Sequence, residues 1–225
     1  MPANPLFHEL TEALLPQRCL VCGRFGAALH ESCVVLLPAA EGPRCLRCWA
    51  PGGSVCRRCQ ASPPAFEARR ARFRFEGDAR RAILEAKFRG VTTLLSPLAE
   101  AAAESVPPAW RVGAVVPVPL HRKRERRRGY NQAALISKTV ARRLGVPHRP
   151  DLLRRVRATP PQAGLDEEHR ARNLLGAFEA NGTVSGVVLL IDDVTTTGAT
   201  FEAAATALQG TGAHTVFALA IAQED

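Results

Sequence analysis

The spacing of apolar and polar residues changes period several times along this chain, and the changes mark its elements. Near the start, Leu6, Phe7, Leu10, Leu14 and Leu15 recur at helical spacing and stop at Pro16, predicting a short amphipathic helix. Its polar face is not basic, so packing on the main body is expected rather than membrane attachment. Between 70 and 75 the period becomes two. Ala71, Phe73 and Phe75 alternate with Arg70, Arg72 and Arg74, the pattern of a half-buried strand with a basic outer face. Residues 79–89 read as a helix ended by Gly90, and residues 112–118 as an apolar strand whose end is marked by Pro117 and Pro119. Asn131 suits the N-cap of a helix running through Leu144 and closed by Gly145 and Pro147. The run 187–191 suits a buried parallel strand that stops at two acids. A helix near 199–209 and a last strand near 215–221 follow. Strands alternate with helices, so the body is α/β with a mainly parallel sheet.

Composition narrows this picture. With 225 residues and 46% apolar content, the chain can build one substantial core and a small satellite domain. Residues 60–68, with Pro63 and Pro64, read as the linker, which divides the chain into 1–62 and 63–225. Lys and Arg number 30 against 21 acids, a net charge of +9 that favours anionic partners or, as plainly, a solvated basic surface. No stretch approaches the roughly 20 apolar residues that cross a bilayer. The first five residues lack the basic start and apolar core of a signal peptide. A cytoplasmic protein is expected.

The seven cysteines are organised by an internal repeat. Cys19, Cys22, His30 and Cys33 are matched, 26 positions on, by Cys45, Cys48, Cys56 and Cys59. The shared pattern is C-x2-C-x7-[HC]-x2-C. The odd cysteine count arises because His30 stands where the second copy has Cys56, and imidazole can replace a thiolate as a tetrahedral zinc ligand. Two structural Zn²⁺ sites are expected, each with four protein ligands and no open position for catalysis. Pairing within each repeat is simplest; an interleaved arrangement of Cys19 and Cys22 with Cys45 and Cys48 also satisfies the spacing. A segment so short and so poor in aromatics needs metal to fold. His8 and His121 have no such partners and read as surface residues.

The densest chemistry lies at 189–200, Leu-Leu-Ile-Asp-Asp-Val-Thr-Thr-Thr-Gly-Ala-Thr. Asp192 and Asp193 fall at the carboxyl end of a strand, where open α/β sheets place ligands. Thr195, Thr196, Thr197, Gly198, Ala199 and Thr200 are small enough for backbone N–H groups to close around a phosphate. Their hydroxyls add donors, and the helix beginning near Ala199 points its positive end at the anion. Acids for ribose hydroxyls and a loop for the 5′-phosphate fit a sugar phosphate. The segment resembles the phosphoribosyl-pyrophosphate (PRPP) motif of type I phosphoribosyltransferases.

Two polar segments complete the candidate site. Six of the residues 122–128 are basic, within PLHRKRERRRGYNQ, and the segment follows a strand on the same rim as Asp192. Such a run can neutralise pyrophosphate or hold a nucleic-acid backbone. Tyr130 can stack on a base or simply pack. The second segment, 154–173, carries Pro160, Pro161 and Gly164 and reads as a lid loop, with Asp166 capping a short helix.

Taken together, the cysteine repeat, VVPVPLHRKRERRRGYNQA, RRVRATPPQAGL and LLIDDVTTTGAT resemble the ComF/GntX family over nearly the whole chain. That resemblance implies a double zinc ribbon ahead of a type I phosphoribosyltransferase-like sheet with helices on both faces. It implies Asp192 and Asp193 as the catalytic acids, 195–200 as the phosphate loop, and Leu120, His121 and Arg122 on the pyrophosphate side. Arg157, Thr159 and Gln162 would lie in the flexible loop, and Mg²⁺ would accompany PRPP. His30 stands where the family has cysteine. The resemblance further implies natural transformation and the handling of single-stranded DNA, with Arg124, Arg126, Arg127 and Arg128 as candidate backbone contacts and other DNA-uptake or recombination proteins as partners. Two further readings are a phosphoribosyltransferase active on an acceptor the sequence does not reveal, and a zinc-dependent adaptor.

Overall fold

The chain is described here from a computed structural model covering residues 17–158, Leu174 and residues 176–225. The expected N-terminal helix at 6–15 and most of the lid segment, including Thr159, Gln162 and Asp166, lie outside the described residues. The central sheet holds β1 (Ala68–Arg74), β2 (Ala114–Pro117), β5 (Gly186–Thr195) and β6 (Ala213–Gln223), in the order β1-β6-β5-β2 with every neighbouring pair parallel. A separate antiparallel pair joins β3 (Leu153–Arg155) to β4 (Phe178–Ala180).

Period-two alternation in the buried strands sorts the core into two layers. Val115, Leu189, Ile191, Leu219 and Ile221 face one side, against α3 (Gly77–Phe88), α4 (Leu95–Ala103) and α6 (Gln132–Leu144). Val116, Val188, Leu190, Ala218 and Ala220 face the other, against α7 (Ala199–Gln209) and the β3–β4 pair. Helices therefore cover both faces. The Asn131 side chain accepts from the Ala133 N–H at 3.1 Å, capping α6 as its sequence predicts, and Gly145 closes that helix.

Most boundaries fall within two residues of expectation, and one larger difference bears on the site. The sequence suggests that the strand stops at the acids, but β5 continues through them, with Asp192, Val194 and Thr195 in register with Ala220, Ala222 and Gln223. The cause is the partner. The apolar run of β6 extends to Ala222, and a parallel ladder persists while both strands supply backbone groups.

The cysteine-rich region includes two short helices, α1 (Glu31–Val34) and α2 (Arg57–Ala61), and lies along the open edge of β1. Ala40 N–H donates to Arg72 O at 2.9 Å, Arg74 N–H to Pro38 O at 2.8 Å, and Arg69 N–H to Arg47 O at 2.7 Å. Cys19, Leu29, Cys33, Val34 and Leu37 belong to the same buried cluster as α3 and α4.

Candidate functional site

The carboxyl ends of β2 and β5 open into a cleft of about 450 Å³ lined by Asp192, Asp193, Gly198, Thr200 and residues of the basic segment. Alternation sends the two acids to opposite faces of the sheet. Asp193, on the α3 side, is buried; its Oδ2 meets Lys87 Nζ at 3.1 Å and its Oδ1 accepts from Val194 N–H at 2.8 Å. Asp192 accepts from Asp193 N–H at 2.8 Å. Burial, then the charge of Asp193, raises its carboxyl to about 7, against the opposing effects of Lys87 and Arg155. Lys87 and Arg155 line the same cleft, and neither stands out in sequence. Lys87 is one cation in the last turn of a helix, and Arg155 sits in a three-residue strand.

The phosphate-loop candidates form the turn from β5 into α7. Gly198 has φ +90°, a conformation that disfavours side chains, and caps the helix. A Cβ there would collide with Arg69 Nη1 and lie 3.3 Å from its Cζ. Arg69 itself is 1% exposed. It donates to Thr195 Oγ1 at 2.8 Å, to Thr196 O at 3.3 Å, to Gln223 Oε1 at 3.4 Å and to Cys48 O. Arg58 donates to Thr197 O at 3.4 Å. The turn is thus held from behind by two arginines, while the first-turn N–H groups of α7 lack intrahelical partners. Sequence reasoning missed Arg69. Carried back one residue, the alternation at 70–75 puts position 69 on the buried face with Ala71 and Phe73, but an arginine there reads by residue type as a surface side chain.

The basic run forms helix α5 (Arg122–Arg128), and the helix divides it. Arg124, Arg127 and Arg128, spaced i, i+3, i+4, line the cleft; Arg122, Lys123 and Arg126 are exposed and do not. Leu120 lines the cleft as well. His121 caps α5 instead, its Nδ1 accepting from Lys123 N–H at 3.3 Å. Arg157 is exposed and outside the cleft lining. Tyr130 donates its hydroxyl to Ala86 O, a packing role, whereas Phe88 stands 71% exposed at the cleft wall, with the Arg128 guanidinium 6.0 Å from its ring.

The cysteine repeats pair within themselves. Cys19, Cys22, His30 and Cys33 form one cluster and Cys45, Cys48, Cys56 and Cys59 another, with all ligand atoms of a cluster within 4.8 Å of one another. The interleaved arrangement is therefore not adopted. Tetrahedral zinc with bonds of about 2.3 Å to sulfur sets ligand atoms roughly 3.8 Å apart. Cys48 Sγ to Cys56 Sγ is 3.7 Å and Cys22 Sγ to His30 Nδ1 is 3.4 Å. His30 Nε2 faces Phe25 O at 3.2 Å, so an Nε2–H donated there leaves Nδ1 free for a metal. Burial opposes the Cys19 thiolate, but backbone N–H groups of Cys22 and His30 bring its pKa down to about 6. Cys45 likewise falls to about 6, against burial, through Cys56 N–H and its neighbours. Burial and neighbouring thiols push Cys33 up to about 11 and raise Cys59. The first cluster thus has Cys19 and Cys22 shifted towards thiolate and Cys33 away from it, and the second has Cys45 shifted towards thiolate and Cys48 and Cys59 away from it; a divalent ion must deprotonate the raised thiols. Both fit a closed structural zinc site.

A "DNA utilization protein YhgH" from Salmonella typhi is 32% identical over 215 residues, covering 90% of this chain and 95% of that protein. The chain belongs to the ComF family. A second ComF-family relative, "Competence protein F" from Haemophilus influenzae, is 42% identical over 93 residues, 40% of this chain and 41% of that protein. No family model matches the chain. Among solved structures, a glutamine PRPP amidotransferase from B. subtilis, complexed with ADP and GMP, aligns at a TM-score of 0.40 with 20% identity, over 58% of this chain and 26% of that one. No helix among the described residues of this ComF-family chain is long and apolar enough to cross a membrane.

Proposed function

We propose that this ComF-family chain handles single-stranded DNA during natural transformation, in the cytoplasm, through a body (63–225) that carries a PRPP-type sugar-phosphate site. The residues 1–62 form its zinc-bearing unit. The observation that carries the proposal is the convergence, in one cleft, of two carboxylates, a glycine-capped helix start and three arginines on one face of α5.

In this reading, Asp192 and Asp193 hold the ribose hydroxyls, with Asp193 fixed by Lys87. The backbone of Thr195–Thr200 takes the 5′-phosphate, and Arg124, Arg127 and Arg128 neutralise a pyrophosphate. Mg²⁺ would enter with the pyrophosphate and screen its charge, with Asp192 as the cleft carboxylate able to share it. An acceptor nucleophile forming a bond to the anomeric carbon as the bond to pyrophosphate breaks, with pyrophosphate leaving, would pass through a cation-like sugar. This chain's part is positioning and charge stabilisation. The exposed Phe88 ring, rather than Tyr130, offers a stacking face to a nucleobase at the cleft wall, and base stacking of this kind is worth about 1–3 kcal/mol.

Calorimetry with Mg-PRPP, and separately with a short single-stranded oligonucleotide at two salt concentrations, tests the proposal. Saturable PRPP binding and salt-dependent DNA binding are expected. Absence of ribose-phosphate binding at millimolar ligand would refute the sugar-phosphate reading.

A further inference from the structure

Arg69 is a buried cation on β1, and among the described residues its hydrogen-bond partners are a hydroxyl, carbonyls and an amide oxygen, with no carboxylate. A buried guanidinium without an anion is costly. A source of negative charge adjoins it in the second cysteine cluster, to which Cys48 belongs, because four thiolates around one divalent ion leave a net negative centre. Cys48, a ligand of that cluster, gives its carbonyl to the same Nη2 that reaches Thr196 O and Gln223 Oε1. The other terminal nitrogen, Nη1, holds Thr195 Oγ1 and occupies the space a side chain at position 198 would need. Arg58, in the helix that follows ligand Cys56, adds a hydrogen bond to Thr197 O.

We infer that the second zinc centre is a positioning element of the sugar-phosphate site, acting through Arg69, which it balances electrically and which in turn holds the Thr195–Gly198 turn in its anion-binding shape. This rests on the sugar-phosphate reading of the cleft. Among the described residues the first centre has no comparable link: its ligands Cys19 and Cys33 pack instead into the core beside α4. The two repeats, alike in sequence, would therefore differ in what they support. One secures the helical layer and the other secures the site. Metal bound more than a side chain's length from the ligand would then set ligand affinity without touching the ligand.

The test uses the full chain and four variants: Cys56→Ser, Cys22→Ser, Arg69→Gln and the Cys56→Ser/Arg69→Gln double variant. Zinc content, ribose 5-phosphate affinity by calorimetry, and hydrogen exchange of the Thr195–Gly198 amides are measured for each. Cys56→Ser should lose one zinc, weaken ribose 5-phosphate by about tenfold or more, and speed exchange in the turn. Arg69→Gln should retain both ions yet show the same weakening and the same fast exchange. The double variant should be little worse than either single one, because both changes cut one chain of contacts. Cys22→Ser should cost clearly less affinity and leave exchange in the turn slow. Equal losses from Cys22→Ser and Cys56→Ser, or slow exchange in the turn of Cys56→Ser, would overturn the coupling. If the wild type fails to bind ribose 5-phosphate, the reading of the cleft falls. The exchange comparison still decides whether the second zinc centre holds the turn.

Discussion

Asp192 and Asp193 are neighbours in sequence but not in environment. Asp193 is ion-paired with Lys87, whereas the raised pKa of Asp192 comes first from burial and then from Asp193. The sign follows from linkage. A carboxyl whose folded pKa lies near 7, well above its unfolded value near 4, favours the folded state fully below about pH 4, and that contribution is lost as pH rises through 7. Asp192→Asn should therefore raise the melting temperature at pH 8, with the gain shrinking towards pH 5, in thermal scans across that range. For Asp193→Asn the expected effect is on binding: Mg-PRPP affinity should weaken by about 1–3 kcal/mol, read by calorimetry. Gly198→Ala should weaken it too, since the added Cβ displaces Arg69 and strains a backbone at φ +90°. At this scale the acids, the small-residue turn and the two four-residue groups that could hold a metal were legible, because each carries its chemistry in its residue type and spacing. Lys87, Arg69 and Phe88 were not. Their roles come from contacts across 106, 126 and 40 positions of sequence, with Asp193, Thr195 and Arg128 respectively.

Among the elements, α5 shows what a count of charges conceals. The run 122–128 reads as one basic patch, but a helix turns Arg124, Arg127 and Arg128 into the cleft and leaves Arg122, Lys123 and Arg126 outside. Replacing the inward three with alanine should abolish PRPP binding. Replacing Arg122, Lys123 and Arg126 should instead reduce single-stranded DNA affinity and flatten its salt dependence, by about 0.7 in log–log slope for each phosphate contact removed. Filter binding at several salt concentrations checks this, and identical effects from the two sets would contradict the division of labour. Helices α6 and α7 were well predicted because their caps are local: Asn131, Gly145 and Gly198 act on the backbone beside them. The end of β5 was misjudged because a strand's length is set by its partner, and β6 lies about twenty residues further on.

For the whole molecule, the composition near Pro63 suggests a small zinc-bearing unit ahead of the body. In the described structure the first cluster shares a core with α3 and α4, and the cysteine-rich region hydrogen-bonds along β1. Zinc retention should fall as pH drops, since protons compete for the cysteine and histidine ligands. Zinc release followed with a chromogenic chelator as pH is lowered measures this. Stripping the metal also bares the outer edge of β1, where Ala40, Pro38 and Arg47 now occupy the backbone groups. An uncovered edge is a template for another chain. Chelated protein should accordingly turn cloudy and scatter light rather than drift into a loose monomer, and early zinc replacement should reverse this. In a cell short of zinc, the amount of usable protein would then follow the metal supply before any change in its synthesis.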